Sequence, residues 1–205
     1  MVVGRPRPAI LRRRGFPALT GGPDIEAVDP LPLAAELREV HRAALGPGAL
    51  SDEWAAERLP RHAQRHGFVF LVARDDDGSV AGFAYGYDGA RGHWWSEQVA
   101  RSLTPAQRAE WLDRPHYEVA ELHVLPAAQR RGIGSSLLAY LLTRQRWDRA
   151  ILSTQTGSRK ARDFYAKNGW QELAGVDFGP GYPPYLVLGR KLSAGAGYLP
   201  ATLET

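Results

Sequence analysis

The chain is 205 residues long, 44% hydrophobic and without cysteine, and it carries a formal charge of +4. This is enough apolar material for one domain with its own core, and the absence of cysteine excludes disulfides, thiolate-bound metals and a cysteine nucleophile. No apolar run is long enough to cross a bilayer and the N-terminus has no signal-like apolar core, so a cytoplasmic protein without membrane contact is expected.

Much of the positive excess lies in Arg5, Arg7, Arg12, Arg13 and Arg14. No groove-reading element accompanies it, so a solvated basic arm is expected and a nucleic-acid partner is not. Residues 1–22, with Pro6, Pro8, Pro17, Gly21 and Gly22, have neither helical nor strand periodicity and read as a flexible arm. The domain is expected over 23–192 and a tail over 193–205. Ile25 to Val28 reads as a short strand, and Leu33, Leu37, Val40 and Ala44 mark a helix ended by Gly46-Pro47-Gly48. Ser51 reads as the N-cap of a second helix running to about Arg65. His62 and His66 lie one helical turn apart, but neither a zinc-protease glutamate nor a third ligand accompanies them. They read as surface histidines, and no metal site is expected.

Phe68–Arg74 and Val80–Tyr87 flank an Asp-Gly turn and predict an antiparallel hairpin. In the second run Phe83, Tyr85 and Tyr87 alternate with Gly82, Ala84 and Gly86, so one face is aromatic and the other nearly bare, open to a helix or a ligand. Phe83 suits the core, while Tyr85 and Tyr87 are candidates for either core or substrate contact. Residues 88–116 exceed a simple loop and contain two helix signals, one at Gly92 to Ser96 and one opened by Thr104-Pro105. Trp94 and Trp95 in this insertion are candidate substrate contacts in a lid or pocket wall, and a satellite core or a homodimer contact is the alternative.

Glu121 to Leu142 organises the chain. An apolar strand ends at Pro126, an Arg- and Gly-rich loop follows, and a helix opens near Gly134 with Leu137, Leu138, Leu141 and Leu142 on one face. A strand, a glycine loop and a helix N-terminus make an anion site, because free N–H groups and the helix dipole point at the loop. The spacing rejects the dinucleotide fingerprint, which would need glycine where Leu137 stands, and the nucleotide triphosphatase loop, whose Gly-Lys-Ser/Thr triplet is missing. After the motif, Ala150 to Thr154 reads as a strand and Ser158 starts a helix that Gly169 ends, which places at least one parallel pair in an α/β core.

Gln129-Arg130-Arg131-Gly132-Ile133-Gly134 resembles the Q/R-x-x-G-x-G/A loop of the GCN5-related N-acetyltransferases (GNAT). Ala161-Arg162-Asp163-Phe164-Tyr165-Ala166-Lys167-Asn168-Gly169-Trp170 is similar to a second segment of that family. The resemblance covers about residues 118–173. It implies a mixed, mostly antiparallel sheet of six or seven strands, with a splayed parallel pair in the middle and helices on both faces. It further implies acetyl-CoA as co-substrate, held by Gln129, Arg130, Arg131, Gly132, Ile133, Gly134 and Ser135. The pantetheine arm would pair with the backbone of Leu122, Val124 and Leu125, with Ser158, Ala161 and Tyr165 on its far side. Ser158 stands where many members carry asparagine, so it either caps its helix or reaches the cofactor.

The implied reaction is attack of a neutral amine on the thioester. Glu121 is the expected general base, with His123 on the same face as its competitor and Glu118 a distant third. Tyr165 matches the position that protonates the leaving thiolate, and the Val124 N–H is a candidate oxyanion donor. A small-molecule amine is the expected acceptor. A protein lysine or N-terminus, and a non-catalytic acyl-CoA sensor, are the alternatives.

Overall fold

The computed structural model describes residues 23–193. The basic arm of residues 1–22 and the tail beyond 193 lie outside the described residues. Seven strands form one sheet in the order β1-β2-β3-β4-β5-β7-β6: β1 (Asp24–Ala27), β2 (Val69–Arg74), β3 (Val80–Asp88), β4 (Tyr117–Val124), β5 (Arg149–Gln155), β6 (Gln171–Val176) and β7 (Tyr185–Lys191). Every neighbouring pair is antiparallel except β4 and β5. This is the expected mixed sheet with one parallel pair in the middle.

On one face lies α6 (Ile133–Thr143), followed in the chain by α7 (Arg159–Lys167). Ile133, Leu137, Leu138, Leu141 and Leu142 of α6 recur at helical spacing and pack on Leu71, Ala84, Val119 and Leu152. The bare face of β3 is therefore filled by a helix. Its glycines are needed there, because a Cβ on Gly86 would lie 2.3 Å from the Glu118 carbonyl oxygen and 2.6 Å from the Tyr117 ring. Ser158 caps α7 by accepting from the Ala161 N–H, and Gly169 follows in the left-handed region at φ 78°.

The other face carries two separate groups of helices. α1 (Ala34–Leu45), α2 (Ser51–Glu53) and α3 (Leu59–Ala63) cover β2 and β3, burying Leu37, Val40, Trp54 and Leu59 against Phe70, Phe83 and Tyr85. α4 (Trp94–Ser102) and α5 (Pro105–Trp111) cover β5, β6 and β7, burying Val99, Leu103 and Trp111 against Ile151, Val176 and Val187. The cleft between these groups lies over β4. α5 starts as its sequence predicts, with Pro105 at its first position and a reciprocal capping box between Thr104 and Gln107.

Between α2 and α3 the helix widens into a π-turn over Trp54–Arg58, where the Leu59 N–H bonds back to the Trp54 carbonyl. Pro60 explains this. It has no N–H and its ring crowds the carbonyl four residues earlier, so the preceding turn opens by one residue. Ser51 is not the N-cap expected of it: Leu50 occupies that position, and the Ser51 hydroxyl turns inward to His41 Nδ1 at 2.8 Å.

Gly86→Ala should destabilise the fold by about 1–3 kcal/mol, because the atoms it meets are backbone and a buried ring that cannot swing away. A urea unfolding midpoint unchanged from the parent chain would contradict this packing.

Candidate active site

The site begins with an incomplete pairing. β4 and β5 meet only at Tyr117 with Ala150 and Glu118 with Ile151, whereas β3 follows β4 from Gly82 to Asp88. Beyond Glu118 the β5-facing edge of β4 has no strand beside it. N–H directions alternate along a strand. The Leu125 N–H is taken by the Ala81 carbonyl at 2.9 Å, so the Val124 N–H faces the gap. This corrects the expectation for Leu125, whose amide already belongs to the sheet. The Val124 carbonyl accepts from the Gln129 side chain at 3.1 Å, and Lys160 bonds the other end of that amide. Gln129 is thus a strut between β4 and the first turn of α7, and Lys160 is a residue of this wall that sequence motifs did not single out.

After a 3-10 turn at Pro126–Ala128 the loop enters α6 through two left-handed residues, Arg130 at φ 63° and Gly132 at φ 81°. Left-handed residues alternating with right-handed ones turn successive N–H groups toward one concavity, which suits an anion. Arg130, Arg131 and Ser135 are exposed beside it, while Ile133 is buried and offers only its backbone. Arg131 is tied to Asp75 of the β2–β3 turn at 2.8 Å. The Ser158 hydroxyl caps α7 by accepting from the Ala161 N–H, and its own O–H stays available as a donor.

Across the cleft, strand register sets the chemistry. Tyr85 lies opposite Glu121 and Phe83 opposite His123, while Tyr87 lies opposite Glu118, with a bulge at Ala120 between the two runs. The extra residue restores Glu121 and His123 to the face of Glu118, which unbroken alternation would have denied them. His123 Nε2 and Glu121 Oε2 are 2.7 Å apart, with side chains 10% and 17% exposed, so the pair is sheltered yet reachable from the cleft. His41 of α1 stacks on Trp54 at 4.5 Å and meets the His123 ring edge-on at 4.9 Å. One donor atom from each of His41, Glu121 and His123 lies within 4.8 Å of the others.

Burial pushes the Glu121 carboxyl up, but the hydrogen bond and charge of His123, with His41 and Arg58, outweigh it and hold the group below the usual carboxylate range. Burial lowers His41 to about 4, partly opposed by the Glu121 charge. Burial, with the nearby Arg65, lowers His62 to about 3. His62 is therefore not a surface histidine. Its Nδ1 meets the Tyr85 hydroxyl at 3.1 Å, where Trp54 Nε1 also donates at 3.2 Å. His66, by contrast, is exposed and pairs with Asp88.

Several expected contacts are relocated. Tyr85 is fully buried and Tyr87 is 4% exposed beneath Arg65, whose guanidinium lies 4.3 Å from the ring centre, so both support the cleft floor from within the core. Trp94 stays 53% exposed and forms an aromatic patch with Phe178 and Tyr182 of the β6–β7 connection. Trp95 is half-buried and donates to Ser153 of β5 at 3.0 Å. Trp111, from the same insertion, is core. Glu118 is sealed beneath α4 by a 2.5 Å bond from Ser96, which removes it as a base open to the cleft. Tyr165 is packed against Phe164 and Trp170. Burial, then the Glu121 charge, raises its phenol, so the carboxylate and the phenol sense each other across the gap.

The profile of the acetyltransferase (GNAT) domain matches residues 65–172, more than half of the chain and all of the cleft except α1 to α3. The chain belongs to the GNAT acetyltransferase family. It is 36% identical over 121 residues to a GCN5-like protein acetyltransferase of Mycobacterium tuberculosis, a match spanning 55% of this chain and 59% of that protein. In fold, this GNAT chain is similar to a phosphinothricin acetyltransferase of Sinorhizobium meliloti solved with acetyl-CoA, at 20% identity, TM-score 0.57 and coverage of 88% and 94% of the two chains. It is also similar to a PaiA N-acetyltransferase of Thermoplasma acidophilum solved with coenzyme A, at 16% identity, TM-score 0.53 and coverage of 82% and 99%.

Because His41 and His62 are held neutral in the fold, the unfolded chain binds more protons as pH falls below the usual histidine value of about 6.5. Stability should therefore be full above that pH and decline as pH falls towards about 4 and then 3, where the folded histidines titrate. His62→Asn should flatten the profile in urea melts taken across this range. A parent chain with no such decline would contradict histidines held neutral in the fold.

Proposed function

We propose that this chain is an N-acetyltransferase that passes the acetyl group of acetyl-CoA directly to an amine. The observation that carries this reading is the open edge of β4, where the Val124 N–H faces the gap and Glu121 stands on the adjoining cleft face. The pyrophosphate is assigned to the N–H groups between Arg130 and Gly134, with Arg130, Arg131 and Ser135 flanking it. The amides of pantetheine pair with the free edge of β4 as an added strand would, beside Leu122 and Val124 and facing Ala161 of α7. The Gln129 strut keeps the loop and that edge at a set distance.

The ionised Glu121 takes the amine proton directly or through one water, and His123 orients the carboxylate through their shared hydrogen bond. Attack on the thioester carbon places negative charge on the carbonyl oxygen, which the Val124 N–H stabilises. Collapse breaks the carbon–sulfur bond, and Tyr165 donates its proton to the departing thiolate. Its raised pKa keeps the phenol protonated until then.

The acceptor is read as a small molecule, for which the exposed aromatic patch of Trp94, Phe178 and Tyr182 offers an apolar contact. A protein acceptor, at a lysine or an N-terminus, is the second reading, supported by the name of the mycobacterial relative, a protein acetyltransferase. Free-thiol release from acetyl-CoA with a panel of amines, run beside lysine peptides, separates the two. No thiol release with either set would overturn the enzymatic reading and leave a coenzyme-binding sensor.

Glu121→Gln should lower kcat on the order of 10²- to 10⁴-fold. Tyr165→Phe should lower kcat on the order of 10²-fold while leaving acetyl-CoA affinity, measured by calorimetry, close to the parent value. Gly134→Asp should do the reverse and weaken cofactor binding itself, because a carboxylate would stand at the helix N-terminus where the diphosphate belongs.

A further inference from the structure

Two imidazoles and a carboxylate meet in the cleft from distant parts of the chain: His41 from α1, and Glu121 and His123 from β4. The pairing of Glu121 with His123 is accounted for by the proposed chemistry. His41 is not. It is 4% exposed, and a histidine with only a packing role would be an expensive choice at such a position, since an apolar ring would stack on Trp54 equally well. The ring is also anchored. Its Nδ1 is engaged by the Ser51 hydroxyl, which turns inward for that purpose, and Nε2 has no hydrogen bond to a described residue. A ring nitrogen fixed by a polar partner while the other stays unclaimed is how proteins orient a metal-binding histidine.

We infer that His41, Glu121 and His123 form a binding site for one divalent transition-metal ion of the zinc class. Two histidine nitrogens and one carboxylate oxygen suit zinc, cobalt and nickel, and leave a coordination position open to the cleft. Magnesium and calcium, which demand mostly oxygen donors, are poorly served. The donor atoms already lie within 4.8 Å of one another, so small rotations bring them to ligand distances. Metal binding replaces the proton shared between His123 and Glu121, and that proton is released to solvent. The bound carboxylate can then no longer accept a proton from an amine. Occupancy therefore switches the transferase off, and this consequence rests on the proposed role of Glu121.

The test uses the full chain after chelator treatment and reads the metal itself. Cobalt(II) should develop visible d–d absorption saturating at one ion per chain, be displaced by zinc and be unaffected by magnesium. His41→Gln should weaken cobalt binding on the order of tenfold or more, and Ser51→Ala on the order of tenfold through loss of the anchor. His66→Ala should bind as the parent does. Because the chain has no cysteine, His41→Cys should add a thiolate-to-cobalt charge-transfer band, a signature no packing role would produce. No visible absorption in the parent chain, or an unaltered spectrum in both His41 variants, overturns the inference. Thiol release is measured separately in the metal-free chain. Binding without acetylation of any amine would uphold the metal site and sink the transferase reading, and acetylation without cobalt binding would do the opposite.

Discussion

The parting of β4 from β5 after two residue pairs is the constraint on which the rest of the molecule depends. A sheet normally satisfies its backbone groups strand by strand, and an unpaired internal edge is costly unless something replaces the missing neighbour. Here the protein closes part of the edge with its own Gln129 side chain and keeps β5 occupied on its other side by β7 along seven residue pairs. The bulge at Ala120 lies two residues past the last parallel pair. A bulge increases local twist, which turns the end of β4 away from the line of β5 while β3 stays attached.

The same bulge decides where charge goes. Without it, Glu121 and His123 would point into the layer beneath α6, among leucines, where an ionised carboxylate would be very unfavourable. With it, they face His41 and Arg58 above the buried Tyr85, and the His123 hydrogen bond, helped by the Arg58 charge, keeps a sheltered carboxylate ionised. The π-turn on the facing helix belongs to the same arrangement, because it contains Trp54, on which His41 stacks, and Arg58, whose charge reaches Glu121. Backbone irregularities on two elements, one from Pro60 and one from an extra strand residue, thus converge on one group of side chains.

Periodicity and turn chemistry carried much of the architecture. The hairpin at Asp75–Ser79, the α6 leucines, the Thr104 cap and the Gly169 stop are local features whose physics is complete within a few residues, and the structure has each where the chain implies it. Strand ends moved by one or two residues, as with β4, which stops at Val124 because the chain enters the 3-10 turn at Pro126. The Gly-rich loop was equally legible, since its left-handed positions and its helix lie within one short segment.

Side-chain roles that depend on distant partners were not legible in this way. Ser51 has the residue type and position of a helix cap, yet a histidine ten residues earlier claims its hydroxyl. His62 looks like a surface residue until β3 places the Tyr85 hydroxyl beneath it, and the tyrosines of β3 resemble pocket residues until α2 and α3 cover them. His41 has no motif at all, because Glu121 and His123, its neighbours in space, lie some eighty positions away. The chain's order of residues was enough to specify which segments become helix, strand and anion loop, because those choices follow from near-neighbour geometry and the alternation of apolar and polar groups. Which charged and aromatic groups meet in the cleft, and which of them stay ionised, was settled only by packing two helical layers over a sheet that opens at its centre, since burial and field strength arise from neighbours the chain brings together last.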